Sequence, residues 1–301
     1  MEGGDCPMQM LSTFSIVAID LKTGEIGVAV ASKFLAVGAV VPYARAGVGA
    51  IATQAWANLS FGPRGLELLA SGLSAEEVVE HLVREDEGRD HRQLGVVDAQ
   101  GRAAAWTGKQ CYPWAGHIVG EGYTCQGNIL AGETVVRAMA EAFHHTPGPL
   151  PERLLEALAA GQAQGGDSRG QQSAALYVAK EKGSYGGYLD RYIDLRVDDH
   201  PHPIEELRKL LRLHRLYFGT TVPGNLIRAE GNVVREIQRI LAKLGYYHGE
   251  QSGVYDEATR KALKQFFDIE NFEERWRDDD FIDREVLNFM RERYGASGVS
   301  L

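Results

Sequence analysis

The densest polar run in the first two thirds of the chain is Gly165-Gly166-Asp167-Ser168-Arg169-Gly170-Gln171-Gln172-Ser173. It joins a helical stretch to a strand, and such loops carry polar groups to the edges of sites. Asp167 and Arg169 are spaced to form an ion pair that orients a site or clamps a substrate carboxylate, for which the guanidinium fork is suited. Ser173, at the end of the run, is a substrate-binding candidate. Gln126-Gly127-Asn128 precedes a helix, where the Asn128 amide or a glycine N–H can donate to an oxyanion, although a plain turn and helix entry explains it as well. Gln54 and Asn58, on either side of Trp56, are pocket-lining candidates.

Asp198, Asp199, His200 and His202 offer two carboxylates and two imidazoles, ligands for zinc or a harder cation. Four ligands within five residues cannot all face one ion. Pro201 and Pro203 followed by Glu205 and Glu206 read instead as a helix entry, with proline and acids in the first turn. No metal and no cofactor is expected. The glycine-rich runs lack the strand–GxGxxG–helix context of a dinucleotide site and match no P-loop. Cys6, Cys111 and Cys125 are odd in number and widely spaced, consistent with reduced thiols.

These residues must be positioned by strands and helices, and the pattern supplies both. Thr13–Asp20 and Glu25–Lys33 read as a hairpin across a Leu21-Lys22-Thr23-Gly24 turn, and Ala39–Ala44 with Gly49–Gln54 as a second pair. Both pairs are apolar on both faces, as strands between two layers must be. Helices are expected from Gly62 to Ala70, after a capping box at Ser74 and Glu77, over Glu133–His144 and over Pro151–Gln162. Further strands fall at Gln93–Asp98, Ala103–Thr107, Ala174–Ala179 and Tyr192–Val197. The order is four strands, two helices, two strands, two helices, two strands. Grouped this way, they predict an α+β fold with helices outside two packed sheets, a four-layer αββα sandwich.

Composition changes near residue 214, so the chain divides into an N-terminal extension (1–11), a sandwich domain (12–213), a linker (214–228) and a C-terminal domain (229–301). In the last, Val234, Ile237 and Leu241 mark one helix, Ala262, Leu263 and Phe266 a second, and Phe281, Ile282, Val286 and Met290 a third. The 301 residues are 44% hydrophobic, enough for a substantial core. With 32 basic against 41 acidic residues the net charge is −9, which excludes a general nucleic-acid binder. The apolar runs are strand-length, so no membrane partner is expected. The start, Met1-Glu2-Gly3-Gly4-Asp5, shows no secretory signal, and the cytoplasm is the default expectation.

The stretches TFSIVAID (Thr13–Asp20), GVAVASKFLAVGAVVPYARAGVGAIATQA (Gly27–Ala55), FGPRGLELL (Phe61–Leu69), QGNILAG (Gln126–Gly132), GGDSRGQQSAAL (Gly165–Leu176) and DLRVDDHPHPI (Asp194–Ile204) resemble the N-terminal-nucleophile (Ntn) hydrolase-like family called domain of unknown function 1028. The resemblance covers nearly the whole of residues 12–213. It implies a sandwich fold, a homo-oligomer and a chemistry class, but no particular substrate. An Ntn hydrolase attacks with a Ser, Thr or Cys whose own α-amino group is the general base, since a hydroxyl is a weak nucleophile without one. The resemblance nominates Thr13. Here the sequence departs from the simplest family form, in which Thr follows the initiator Met, because twelve residues precede Thr13. Lys33, ending the second strand, is then a candidate to lower the nucleophile's pKa by its charge, with Ser32 as companion.

LGYYHGEQSGVYDEATRKALKQF (Leu244–Phe266) resembles the peptidoglycan-binding three-helix module. Tyr246, Tyr247 and Tyr255 either offer flat apolar surface to a glycan or cell-wall peptide, or are core residues of a bundle used for docking. The leading expectation is an Ntn-type amidohydrolase or peptidase acting on a small peptide or amino-acid amide through Thr13, Lys33, Asp167 and Arg169. The alternative is a catalytically silent scaffold that binds a ligand or partner, including a peptidoglycan fragment.

Overall fold

The structure, a computed structural model, describes residues 13–295. The N-terminal extension 1–11, Cys6 and the residues after 295 lie outside the described residues. The chain splits into two units, up to Leu210 and from Leu211.

In chain order the first unit contains β1 (Thr13–Asp20), β2 (Glu25–Ser32), β3 (Pro42–Arg45), β4 (Gly49–Ala55), α1 (Phe61–Ala70), α2 (Ala75–Arg84), β5 (Arg92–Asp98), β6 (Ala103–Thr107), β7 (Gly116–Gly120), β8 (Tyr123–Asn128), α3 (Thr134–His145), α4 (Leu150–Ala163), β9 (Ser173–Ala179) and β10 (Arg191–Val197), and α5 (Pro203–Phe218) follows. The strands form a six-stranded sheet, β10-β9-β2-β1-β8-β7, and a four-stranded sheet, β3-β4-β5-β6, each antiparallel throughout.

Side-chain alternation along each strand decides what each face meets. Val17, Ile19, Ile26, Val28 and Val30 share one core with Ala44, Ala50, Ala52 and Val97 of the four-stranded sheet. On that sheet's other face, Ile51, Leu94 and Val96 meet Phe61, Val78 and Leu82 of α1 and α2. The helices α3 and α4 pack on the six-stranded sheet. Gly161 allows α4 to come close, because a Cβ there would stand 2.7 Å from Met139 and 3.4 Å from Phe14. The expected capping box starts α2: Glu77 N donates to Ser74 Oγ (3.3 Å) and Ser74 N to Glu77 Oε2 (2.7 Å).

One part of the expected order is corrected. Gln126-Gly127-Asn128, read as a turn and helix entry, ends the strand β8, and β7 precedes it where no element is expected, so the order is four strands, two helices, four strands, two helices, two strands. Their glycines read locally as breakers. Pairing of β8 with β1 and of β7 with β8 overrides that preference, since backbone hydrogen bonds are made whatever the side chains are.

The second unit contains β11 (Leu226–Arg228), α6 (Gly231–Lys243), α7 (Glu257–Ile269), β12 (Phe281–Asp283) and α8 (Arg284–Met290). Val234, Ile237, Leu241, Leu263, Phe266, Phe272 and Val286 build its core. Two boundaries shift. Residues 214–218 continue α5 rather than starting a linker, and Leu216 and Tyr217 at its end pack against the second unit's core. Phe281 and Ile282 form no helix; they pair with Arg228 and Ile227 as strands. Tyr247 is a core residue, its hydroxyl donating to Glu250 O (2.8 Å).

Arg275 and Asp283 are both buried and joined at 2.6 Å. Arg275 also donates to Leu216 O (2.6 Å) and Arg215 O (2.7 Å), while Asp283 accepts from Thr221 Oγ1 (2.6 Å). Removing one member of a buried pair leaves the other charge uncompensated. Arg275→Met is therefore expected to lower the opening free energy of α6–α8 by about 3 kcal/mol. Native-state hydrogen exchange checks this, with β1 as the internal control.

Candidate active site

Along the inner face of β1 the side chains change character. Val17 and Ile19 lie in the core between the sheets, whereas Ser15 and Thr13, continuing the same alternation, are hydroxyl residues. Strand register extends that polarity sideways. Asn128 of β8 pairs with Thr13, Thr13 with Ser32 of β2, and Ser32 with Ser173 of β9. All four are buried. The Thr13 hydroxyl donates to Ser32 Oγ at 3.2 Å.

The four-stranded sheet faces this row with two glutamines. Gln54 Nε2 donates to Thr13 O (3.3 Å) and to Gln93 Oε1 (2.8 Å), and Gln54 Oε1 accepts the Ser15 hydroxyl (2.6 Å). Ser15 Oγ accepts from Gln126 Nε2 (2.7 Å), and Gln93 Oε1 accepts a second bond from Asn128 Nδ2 (3.0 Å). Gln93 Nε2 donates to Gly127 O (2.7 Å), Gly116 O (3.2 Å) and Thr107 Oγ1 (3.0 Å). A buried amide costs free energy unless its hydrogen bonds are made, so this cradle holds β1, β4, β5 and β8 in one register. Gly95 makes room for it: a Cβ there would sit 2.3 Å from Gln126 Oε1 and 2.4 Å from Thr124 Oγ1.

Asp167 closes the end of the row. Its buried carboxylate accepts Lys33 N (2.9 Å) and Arg169 N (3.0 Å), and holds the Arg169 side chain through Nε (3.2 Å) and Nη2 (3.0 Å). Arg169 Nη2 also reaches Lys33 O (3.2 Å). Across the same loop, Leu130 bridges to Asp167 and Ser168 N donates to Ile129 O (3.0 Å). The Asp167–Arg169 pair thus joins the end of β2 to the segment that follows Asn128.

Thr13, Ser32, Gln54, Asn128 and Ser173 are therefore brought together, with Asp167 and Arg169 bracing Lys33's backbone. The Lys33 side chain is exposed and donates to Gln171 O (3.2 Å), not to Thr13. Ser173 Oγ donates to Phe34 O and accepts from Val37 N (3.1 Å), so it anchors the segment after β2. Asn58 belongs elsewhere: its Nδ2 donates to Asp86 Oδ2 (3.2 Å) and its Oδ1 accepts from Ser60 N (3.1 Å). Gln93 escaped sequence reading. Its signal is a polar residue at an inward position of a strand whose other inward members, Gly95 and Val97, are small or apolar.

The side chains of the acidic–histidine stretch turn to separate partners. Asp199 Oδ1 accepts Gln172 Nε2 (3.1 Å), His200 Nδ1 accepts His202 N (3.0 Å), and α5 begins at Pro203. Among the described residues no group of three His, Cys, Asp or Glu side chains is placed to hold a metal, and no helix is long and apolar enough to cross a membrane. Cys111 and Cys125 are free thiols; burial pushes Cys111 up to about 11 and Cys125 higher still.

Fold and site define the first unit as a mixed α/β domain of antiparallel sheets with a buried hydroxyl–amide cluster at the head of its first strand. The model of the family described as "Family of unknown function (DUF1028)" matches residues 13–207. The chain belongs to that family. A crystal structure of a family member, protein SPO2555 from Silicibacter pomeroyi, matches it with a TM-score of 0.62 and 34% identity, over 68% of this chain and 86% of that one. Residues 218–290 match the family described as "Putative peptidoglycan binding domain". No match was found among curated proteins.

Two outcomes are expected. Asp167→Ala strands the Lys33 and Arg169 N–H groups and lowers stability by about 2 kcal/mol, read from urea unfolding. With its pKa about 11, Cys111 is roughly a thousandth thiolate at pH 8, so iodoacetamide modifies it slowly there and faster as the pH rises; peptide mass spectrometry checks this.

Proposed function

We propose that residues 13–207 form a four-layer αββα amide hydrolase of the N-terminal-nucleophile type, acting on a small peptide or amino-acid amide. Thr13 is the nucleophile once the Ser12–Thr13 bond has been cut. One observation carries the reading: the Thr13 hydroxyl stands in a buried row beside Ser32, at the head of a strand whose backbone carbonyl is held by Gln54. An ordinary strand start needs no such cradle of amides, and a reacting group needs its position fixed.

The released α-amine, with a reference pKa of roughly 8, takes the proton from the Thr13 hydroxyl as Oγ1 attacks the substrate carbonyl carbon. The amide C–N bond then breaks, the proton leaves with the departing amine, and an ester remains on Thr13. Water then attacks the ester carbonyl, one of its protons passes through the α-amine to Thr13 Oγ1 as the C–O bond breaks, and the acid is released. In this scheme Ser32 orients the hydroxyl, Asn128 and Gln54 fix the strand head, and the Asp167–Arg169 brace holds the end of β2. Lys33 contributes its positive field from the rim. The enzyme would act in the cytoplasm, as a homo-oligomer by its resemblance to the Ntn sandwiches.

The family match at residues 218–290 favours a second, compatible reading for the other unit, that it binds a peptidoglycan fragment.

The test is the intact mass and N-terminal sequence of the protein from its native host, followed by turnover on an amide library. A chain beginning at Thr13, with turnover reduced at least 1000-fold in Thr13→Ala, is the expected result; loss of a covalent nucleophile has effects of that order. Full turnover in Thr13→Ala overturns the mechanism. An uncut chain that binds ligand without turning it over makes the domain a binding scaffold instead.

A further inference from the structure

The inner face of α7 is buried through Ala262, Leu263, Phe266 and Phe267, and its outer face borders a groove of about 630 Å³ completed by Trp276 and Asp278. That volume lies within the range of small-ligand sites. The groove's side chains fall into two sets. Arg260 is committed to Asp278 O, Asp279 O and Asp280, and Lys264 to Asp268. Glu257, Lys261 and Gln265 line the same groove, yet none has a side-chain hydrogen bond or ion pair among the described residues.

Trp276 is fixed between these groups. Its ring meets Phe267 edge-on, with centroids 5.3 Å apart, and its Nε1–H donates to Asp278 Oδ1 at 2.8 Å. Lys264 Nζ stands over the ring, 5.6 Å from its centroid, and the indole is half-buried. Locked by packing and a hydrogen bond, its remaining apolar surface suits the edge of a pyranose ring at little entropic cost. Lys261 adds an uncommitted cation one helical turn beyond Glu257, and Gln265 an uncommitted amide one turn further, able to pair with an N-acetyl or peptide group.

We propose that this groove is a binding site for a carboxylate-bearing glycopeptide, with the sugar against Trp276, the carboxylate on Lys261 and an amide on Gln265. The proposal rests on the reading that this unit binds peptidoglycan fragments, and it names the place and the chemistry.

The probe is N-acetylmuramyl dipeptide, titrated by calorimetry into the full chain, with the Trp276 indole N–H followed by ¹H–¹⁵N NMR. The expected result is saturable binding that shifts the indole signal, with Kd raised at least tenfold in Lys261→Glu and by a similar factor when the probe's carboxylate is converted to the amide. Both Lys261 and Gln265 lie on the solvent side of α7, so Lys261→Glu and Gln265→Ala leave the fold intact, which the rest of the NMR spectrum verifies. Binding that ignores both variants and leaves the indole unmoved overturns the groove while sparing the peptidoglycan reading. Equal binding of the free dipeptide overturns the sugar contact. If neither this probe nor sonicated peptidoglycan binds, the reading and the groove fall together.

Discussion

Side-chain amides buried between two β-sheets cost free energy unless they are hydrogen-bonded. That requirement organises the first unit. Gln54, Gln93 and Gln126 come from three strands of two sheets, and their mutual bonds are geometrically possible in a single register. A one-residue slip of β1 would turn Thr13 and Ser15 toward α4 and bring Phe14 and Ile16 inward. The apolar core around Val17, Val28 and Val97 supplies the cohesion, while the amides at the other end supply the uniqueness.

Much of this was legible in the sequence wherever the signal was local. The β1–β2 hairpin, the capping box before α2 and the helices α3 and α4 all follow from periodicity and breakers within short windows. The Asp167–Arg169 pair was legible because the partners are two residues apart. Its purpose was not, because the Lys33 N–H that Asp167 also binds lies 134 residues away in sequence. The same distance hid the cradle: Gln126 and Ser15 are 111 residues apart, and no local pattern marks them as partners. The strands β7 and β8 were lost for a related reason. Their glycines weaken the local strand signal, and pairing makes them strands, β8 against β1 and β7 against β8.

The second unit shows the same limit on a smaller scale. Its helical faces were readable from apolar spacing, but Phe281 and Ile282 continue such a spacing into a strand. A partner at Leu226–Arg228, more than fifty residues earlier, decides the matter. Tyr247 likewise resolves toward the core because its hydroxyl finds a backbone acceptor at Glu250. Trp276 is among the aromatic residues of this unit that the sequence left unmarked, since no local pattern reveals its packing against Phe267 of α7.

The position of β1 within its sheet has a further consequence. Thr13 is flanked by β2 on one side and β8 on the other. Chain ends ordinarily fray, because their last residues lack neighbours to hold them. A terminus created at Thr13 would instead inherit a seat already occupied from both sides. Severing the chain there would change its covalent chemistry while leaving little conformational freedom to be gained, so the newly made end would be stiff from the moment it formed.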